Sequence, residues 1–149
     1  QSRPSLSRLT GSQSAMFRLG LPFEMKKQYA YARFSLQSGY TAMEYLLKHC
    51  PDITAVFAMS DLMALGAIRA LNDHGLRVPQ DISVSGYDGI ALGRYSNPRL
   101  TTIRQNSARL AQRGAEILLN CIENKSGAVH EVVPFELIED ESVAALPNH

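Results

Sequence analysis

The sequence predicts an α/β fold: three layers, α-β-α, around a mostly parallel sheet. Three observations carry that expectation. Short apolar runs alternate with longer amphipathic ones along the chain. Residues 54–88, TAVFAMSDLMALGAIRALNDHGLRVPQDISVSGYD, read as strand, turn, helix, loop, strand. Two strands joined by a helix of this length make a right-handed unit with parallel strands. Finally, 149 residues at 45% hydrophobic content suffice for about one domain with its own core.

The elements follow in order. Residues 5–9 read as a strand ended by Thr10-Gly11-Ser12, with Ser12 or Ser14 capping a short helix over 15–19 that Gly20 and Pro22 stop. Residues 23–27 carry no clear signal, and 29–34 (YAYARF) read as β-like. Ser38 opens a helix to His49, with Ala42, Met43, Leu46, Leu47 and Cys50 on one face, and Cys50-Pro51-Asp52 ends it. A strand over 55–59 stops at Ser60-Asp61, a helix over 62–74 stops at Gly75, and a strand over 82–87 stops at Asp88-Gly89. A helical turn over 90–95 precedes the break at Asn97-Pro98, and residues 100–104 (LTTIR) cross in extended form. A helix over 107–124, a turn over 125–127 and a strand over 129–138 interrupted by Pro134 complete the pattern, and residues 139–149 read as a fraying tail.

Composition excludes several functions. The net charge of +1 and the scattered Lys and Arg offer no phosphate-neutralising surface. Asp61 breaks the longest apolar run well short of the roughly 20 residues a membrane span needs. QSRPSLSRLTGS lacks the organisation of an export signal. Cys50 and Cys121 match no metal spacing and read as small core residues of a reducing compartment. There is no GxGxxG, phosphate-binding loop or GxSxG, and His49, His74, His130 and His149 are dispersed. Binding is therefore expected rather than turnover, with no metal or cofactor.

In parallel units ligands sit beyond the carboxyl ends of the strands. Ser60, Asp61 and Asp88 stand at such ends. An ionised carboxylate can accept from neighbouring hydroxyls of a sugar through charge-assisted bonds. Asp61 suits the N-cap of the following helix equally, and Asp88 a turn before Gly89. Arg18 is either a surface arginine or a ligand contact. Phe34 is either a core-edge residue or a stacking platform for a sugar or base.

The two longest helical patterns differ. In 107–124, Leu110, Ala111, Gly114, Ala115, Ile117, Leu118, Cys121 and Ile122 share one side, which should pack on a sheet. In 62–74, Met63, Ala64, Ala67, Ile68, Ala70 and Leu71 share one face, while Leu62 and Leu65 point elsewhere, near Arg69. That second patch suits either a covering loop or a partner surface.

The run AVFAMSDLMALGAIRALNDHGLRVPQDISVSGYDGI, followed by NPRLTTIRQN, resembles the effector-binding domain of lactose-repressor-type (LacI/GalR) transcription regulators. The resemblance covers residues 5–142 and is strongest over 54–105. It implies a periplasmic-binding-protein-like fold of two α/β subdomains joined by three crossings, with a small ligand, usually a sugar or nucleoside, in the cleft. It implies a cytoplasmic repressor, dimeric, that reads an operator through a helix-turn-helix headpiece absent from this chain. Carried over by motif, Asp88 would accept from ligand hydroxyls, Ser60 would face the ligand, and Arg18 would clamp it. Phe34 would stack, Gln105 would line the cleft, and Asp61 matches a family position besides its capping role. Leu62, Leu65 and Arg69 would lie at the dimer interface. Residues 1–104 would be most of the C-terminal subdomain, 105–134 a helix and strand of a mostly missing N-terminal one, and 135–149 a return strand and tail. The chain would then be part of a longer protein. An extracytoplasmic sugar-binding protein of a transport system has the same fold and is the competing expectation; an enzyme is the third.

Overall fold

The computed structural model describes residues 3–123 and 129–145. The helix α1 (Arg3–Arg18) is followed by a single turn, α2 (Met25–Gln28), and by α3 (Leu36–His49). Then come β1 (Ala55–Phe57), α4 (Asp61–Asp73), β2 (Ser83–Asp88), a 3-10 turn (Ala91–Arg94) and β3 (Thr101–Gln105). The helix α5 (Ser107–Ile122) and the strand β4 (Phe135–Ile138) complete the order. The sheet runs β1-β2-β3-β4, its first three strands parallel and β4 antiparallel to β3. The α/β class and the mostly parallel sheet are therefore as the sequence pattern predicts.

The strand-helix-strand unit has clear local causes. Ser60 is the N-cap of α4, its hydroxyl accepting from the Met63 amide at 3.3 Å. Gly75, at φ +72°, ends the helix. The Leu76 amide donates to the Leu71 carbonyl at 2.9 Å and Gly75 to Asn72 at 3.0 Å, the double closure that a glycine permits. Ala64, Ala67, Ile68, Ala70 and Leu71 are buried against Val84, Ile82 and Leu100 on one side and Met43 and Leu46 of α3 on the other. The two helices lie backbone to backbone. A Cβ on Gly39 would stand 2.2 Å from the Met63 carbonyl oxygen, and one on Gly66 2.0 Å from that of Leu36.

Several expectations are corrected. Residues 5–9 are not a strand, and no separate helix starts at 15; one helix spans Arg3–Arg18. The hydroxyls that weigh against helix in the sequence bond back within it, Thr10 to the Leu6 carbonyl and Ser12 to that of Arg8. Residues 29–34 form no strand, and α3 starts at Leu36 with Ser35 as its cap. Asp61 does not cap α4, because Ser60 does. The final strand is limited to Phe135–Ile138. Residues 139–145 do not fray: Ser142 is fully buried, its hydroxyl donating to the Val84 carbonyl and accepting from the Thr101 amide. The expected turn over 125–127 and the last four residues lie outside the described residues.

The α5 helix departs most. None of its residues is buried, and Leu118, Leu119 and Ile122 are exposed. Its apolar face packs on no sheet, so Cys121 is not a core residue. Cys121 and Cys50 are both half-buried, and neither forms a disulfide.

Candidate functional site

β2 carries its chain to Asp88, which stands at φ +118°, with Gly89 following at φ +73°. Positive φ costs a residue with a Cβ about 1–3 kcal/mol, and such strain persists only where the surroundings hold it. Glycine is required next in line: a Cβ on residue 89 would stand 2.6 Å from the Arg104 side chain. The two-residue reversal turns the Asp88 carboxylate off the end of the strand.

Arg8 meets it there. Its guanidinium lies 3.8 Å from the centroid of the Tyr87 ring and 6.0 Å from that of Phe34. One terminal nitrogen donates to Asp88 Oδ1 at 3.3 Å, and the other donates to the Met59 carbonyl, two residues beyond β1. From β3, Gln105 Nε2 donates to the same Asp88 Oδ1 at 3.1 Å. Among the described residues, Asp88 Oδ2 accepts from none of these donors, and the Asp88 side chain is 34% exposed against 14% for Arg8. The carboxylate therefore has acceptor capacity left where solvent reaches it.

Burial pushes the Asp88 carboxyl above the ordinary aspartate range. The Arg8 charge pulls against that, the negative charge of Asp61 adds to it, and the Gln105 and Arg8 hydrogen bonds pull down. Half-buried and held by two donors, the carboxylate is suited, when ionised, to a strong acceptor role toward hydroxyls.

Asp88, Gln105 and Phe34 of the candidate residues thus come together. Ser60 and Asp61 lie inside. Ser60 is 2% exposed and serves the α4 cap. Asp61 is wholly buried, accepting from the Ile90 amide at 2.7 Å and the Thr102 hydroxyl at 2.5 Å. Arg18 stands exposed in the last turn of α1, ten residues and so about 15 Å along the helix from Arg8. Arg8 is the arginine the sequence reading missed. On the helix Arg3–Arg18 this arginine reaches Tyr87 and Asp88, whereas a strand over 5–9 gives it no defined relation to the site. On α4, Leu62 and Leu65 are half-buried, Leu65 packs against the core, and Arg69 is exposed and paired with Asp73 at 3.0 Å.

A large cavity adjoins the cluster at Phe34 and Met59. A volume of 940 Å³ lies between α1, residues 21–34, α3 and β1, and neither Asp88 nor Gln105 lines it. Leu9, Met16, Met43, Leu46 and Val56 make its walls largely apolar. A polar ligand needs convergent polar groups, and the strand-end cluster holds Arg8 and Gln105 within hydrogen-bond distance of Asp88. Among the described residues no cluster of His, Cys, Asp or Glu could hold a metal ion, and no helix is long and apolar enough to cross a membrane.

The model of the periplasmic binding protein-like domain matches residues 1–143. The chain belongs to this family. Its relatives include the HTH-type transcriptional regulator MalR of Clostridium butyricum, 43% identical over 105 residues, which are 70% of this chain and 31% of that protein. The HTH-type transcriptional repressor PurR of Serratia proteamaculans is 50% identical over 118 residues, 76% of this chain and 34% of that protein. Among solved structures, the complex of the transcriptional regulator CelR with cellobiose has a TM-score of 0.89 at 34% identity, covering 92% of this chain and 42% of that one. A LacI family transcriptional regulator of Enterococcus faecium with bound ribose has a TM-score of 0.83 at 33% identity, covering 94% and 52%. The resemblance to lactose-repressor-type regulators is thereby upheld. This member of the family spans about a third of the length of those curated relatives and about half of those solved chains.

Proposed function

We propose that the chain is the effector-sensing portion of a bacterial transcription repressor and that it binds a sugar or a related polyhydroxylated molecule at the carboxyl ends of β2 and β3. One observation carries this reading. The Asp88 carboxylate is held at a strand end by Arg8 and Gln105, with acceptor capacity left facing solvent. The aromatic faces of Tyr87 and Phe34 stand beside it. The names of the relatives and the sugars bound by the solved neighbours support the same reading.

In this proposal the parts have distinct roles. Asp88, Gln105, Arg8 and Phe34 contact the effector, and Arg18, Ser60 and Asp61 do not. Residues 1–104 form most of one subdomain, while α5 and the segment to residue 134 belong to a second. Effector contacts bias a closure of the two subdomains. Operator recognition is assigned to a helix-turn-helix segment outside these 149 residues, the working state is a cytoplasmic homodimer, and the protein is not an enzyme.

A thermal-shift screen tests the reading with cellobiose, ribose, lactose, sugar phosphates and nucleosides. A native-state ligand at about 100 times its Kd adds about 2.7 kcal/mol of stability. One class should raise Tm in a concentration-dependent way, and Asp88→Asn should abolish the rise. A panel with no effect contradicts the proposal.

A further inference from the structure

We propose that Asp61 is a positioning residue: its buried carboxylate ties the Asp88 turn and the β3 strand to the first turn of α4, and so aims the effector acceptor. The inference rests on the reading of Asp88 as that acceptor. Asp61 is wholly buried, yet no cation pairs with it among the described contacts. Instead each oxygen takes one donor from a different element. Oδ2 accepts from the backbone N–H of Ile90, two residues beyond Asp88, at 2.7 Å. Oδ1 accepts from the hydroxyl of Thr102, three residues before Gln105 on β3, at 2.5 Å. Bonds of a carboxylate to such donors are charge-assisted and stronger than neutral ones.

The neighbouring strand makes room for this group. A Cβ on Gly86 would stand 2.3 Å from Asp61 Oδ1, so the glycine in β2 vacates the space the carboxylate fills. Gly86 is paired with Thr102 across the sheet, which puts the vacancy and the donor side by side. The positive φ at both Asp88 and Gly89 is what brings the Ile90 N–H back to α4. The strained turn and the buried anion therefore specify each other. Asp61 also opens α4, the helix that carries Leu62 and Leu65, so the site and that face are joined through one side chain.

Asp61→Asn is the informative change. The Thr102 hydroxyl can rotate to suit an amide. The Ile90 N–H cannot, and an Asn turned to satisfy it presents its NH2 to Thr102. In the labelled 149-residue chain, two NMR readouts apply: the exchange rate of the Ile90 amide and the titration midpoint of the Asp88 carboxyl carbon. The Ile90 N–H then keeps a neutral acceptor in place of a charge-assisted one, and the variant should exchange Ile90 about tenfold faster. It should also lower the Asp88 midpoint, because a neighbouring negative charge has gone while Arg8 and Gln105 remain. Thr102→Val keeps the charge and removes one donor. It should speed Ile90 exchange by a smaller factor, and it serves alone if Asp61→Asn does not fold. Parental Ile90 exchange in either folded variant would overturn the proposal, as would a parental Asp88 midpoint in folded Asp61→Asn. Neither readout uses a ligand, so a failed sugar screen leaves this test standing.

Discussion

Asp88 and Asp81 are both aspartates beside an arginine, and their titrations have opposite signs. The Arg77 side chain and amide bond Asp81 and hold its pKa at about 2. Its contribution is therefore present above the ordinary aspartate value and is lost as pH falls toward about 2. Asp88 is raised by burial instead. Its favourable contribution is present below the ordinary aspartate value and is lost as pH rises through the raised value in the fold. Urea denaturation of the parent and Asp88→Asn across the acid range reads this directly. Relative to the variant, the parent should lose stability as pH rises; a difference that moves the other way would contradict the assigned cause. At this scale the sequence was half legible. Asp88 stood out because a strand end can be located by pattern, whereas Gln105 came only with the family resemblance and Phe34 was expected at the end of a strand that does not form. Asp61 looked like a cap or a ligand contact because neither burial nor the Thr102 and Ile90 donors leave any mark in its own neighbourhood of sequence.

Among the elements, those with strong stop signals were legible. Gly75, Asp88-Gly89 and Asn97-Pro98 bound α4, β2 and the 3-10 turn within a residue or two of expectation. The α1 helix was not legible, since Ser and Thr bonding back to the i−4 carbonyl cannot be told from hydroxyls in a strand. Arg8 was lost with it: on a strand the residue has no defined relation to β2, whereas on α1 it reaches Tyr87 and Asp88. The α3–α4 contact makes a separate prediction. Gly39→Ala or Gly66→Ala drives a methyl into a facing carbonyl. Each should cost about 1–3 kcal/mol in chemical denaturation, the usual range for overpacking. A neutral effect would mean that the helices are not in backbone contact.

The whole molecule keeps its core on one side of its length. Buried residues gather between α3, α4 and the parallel strands, while α5 shows Leu110, Leu118, Leu119 and Ile122 to solvent. That distribution supports the proposed division near residue 104. It also marks the limit of reading from periodicity, which identifies an apolar face without saying what covers it. The partner proposal belongs to this scale too. Leu62→Glu combined with Leu65→Glu should move the mass measured by light scattering from dimer to monomer, and an unchanged mass would count against α4 as the interface. The central claim is that the effector binds on the Asp88 cluster. Cellobiose and ribose titrations followed in proton–nitrogen NMR spectra test it most directly. The account predicts the largest shifts at the Gln105 side-chain amide, the Ile90 amide and Arg8, and their loss in Asp88→Asn. Sugar-induced shifts confined to the apolar cavity between α1 and β1, or undiminished in that variant, would contradict it.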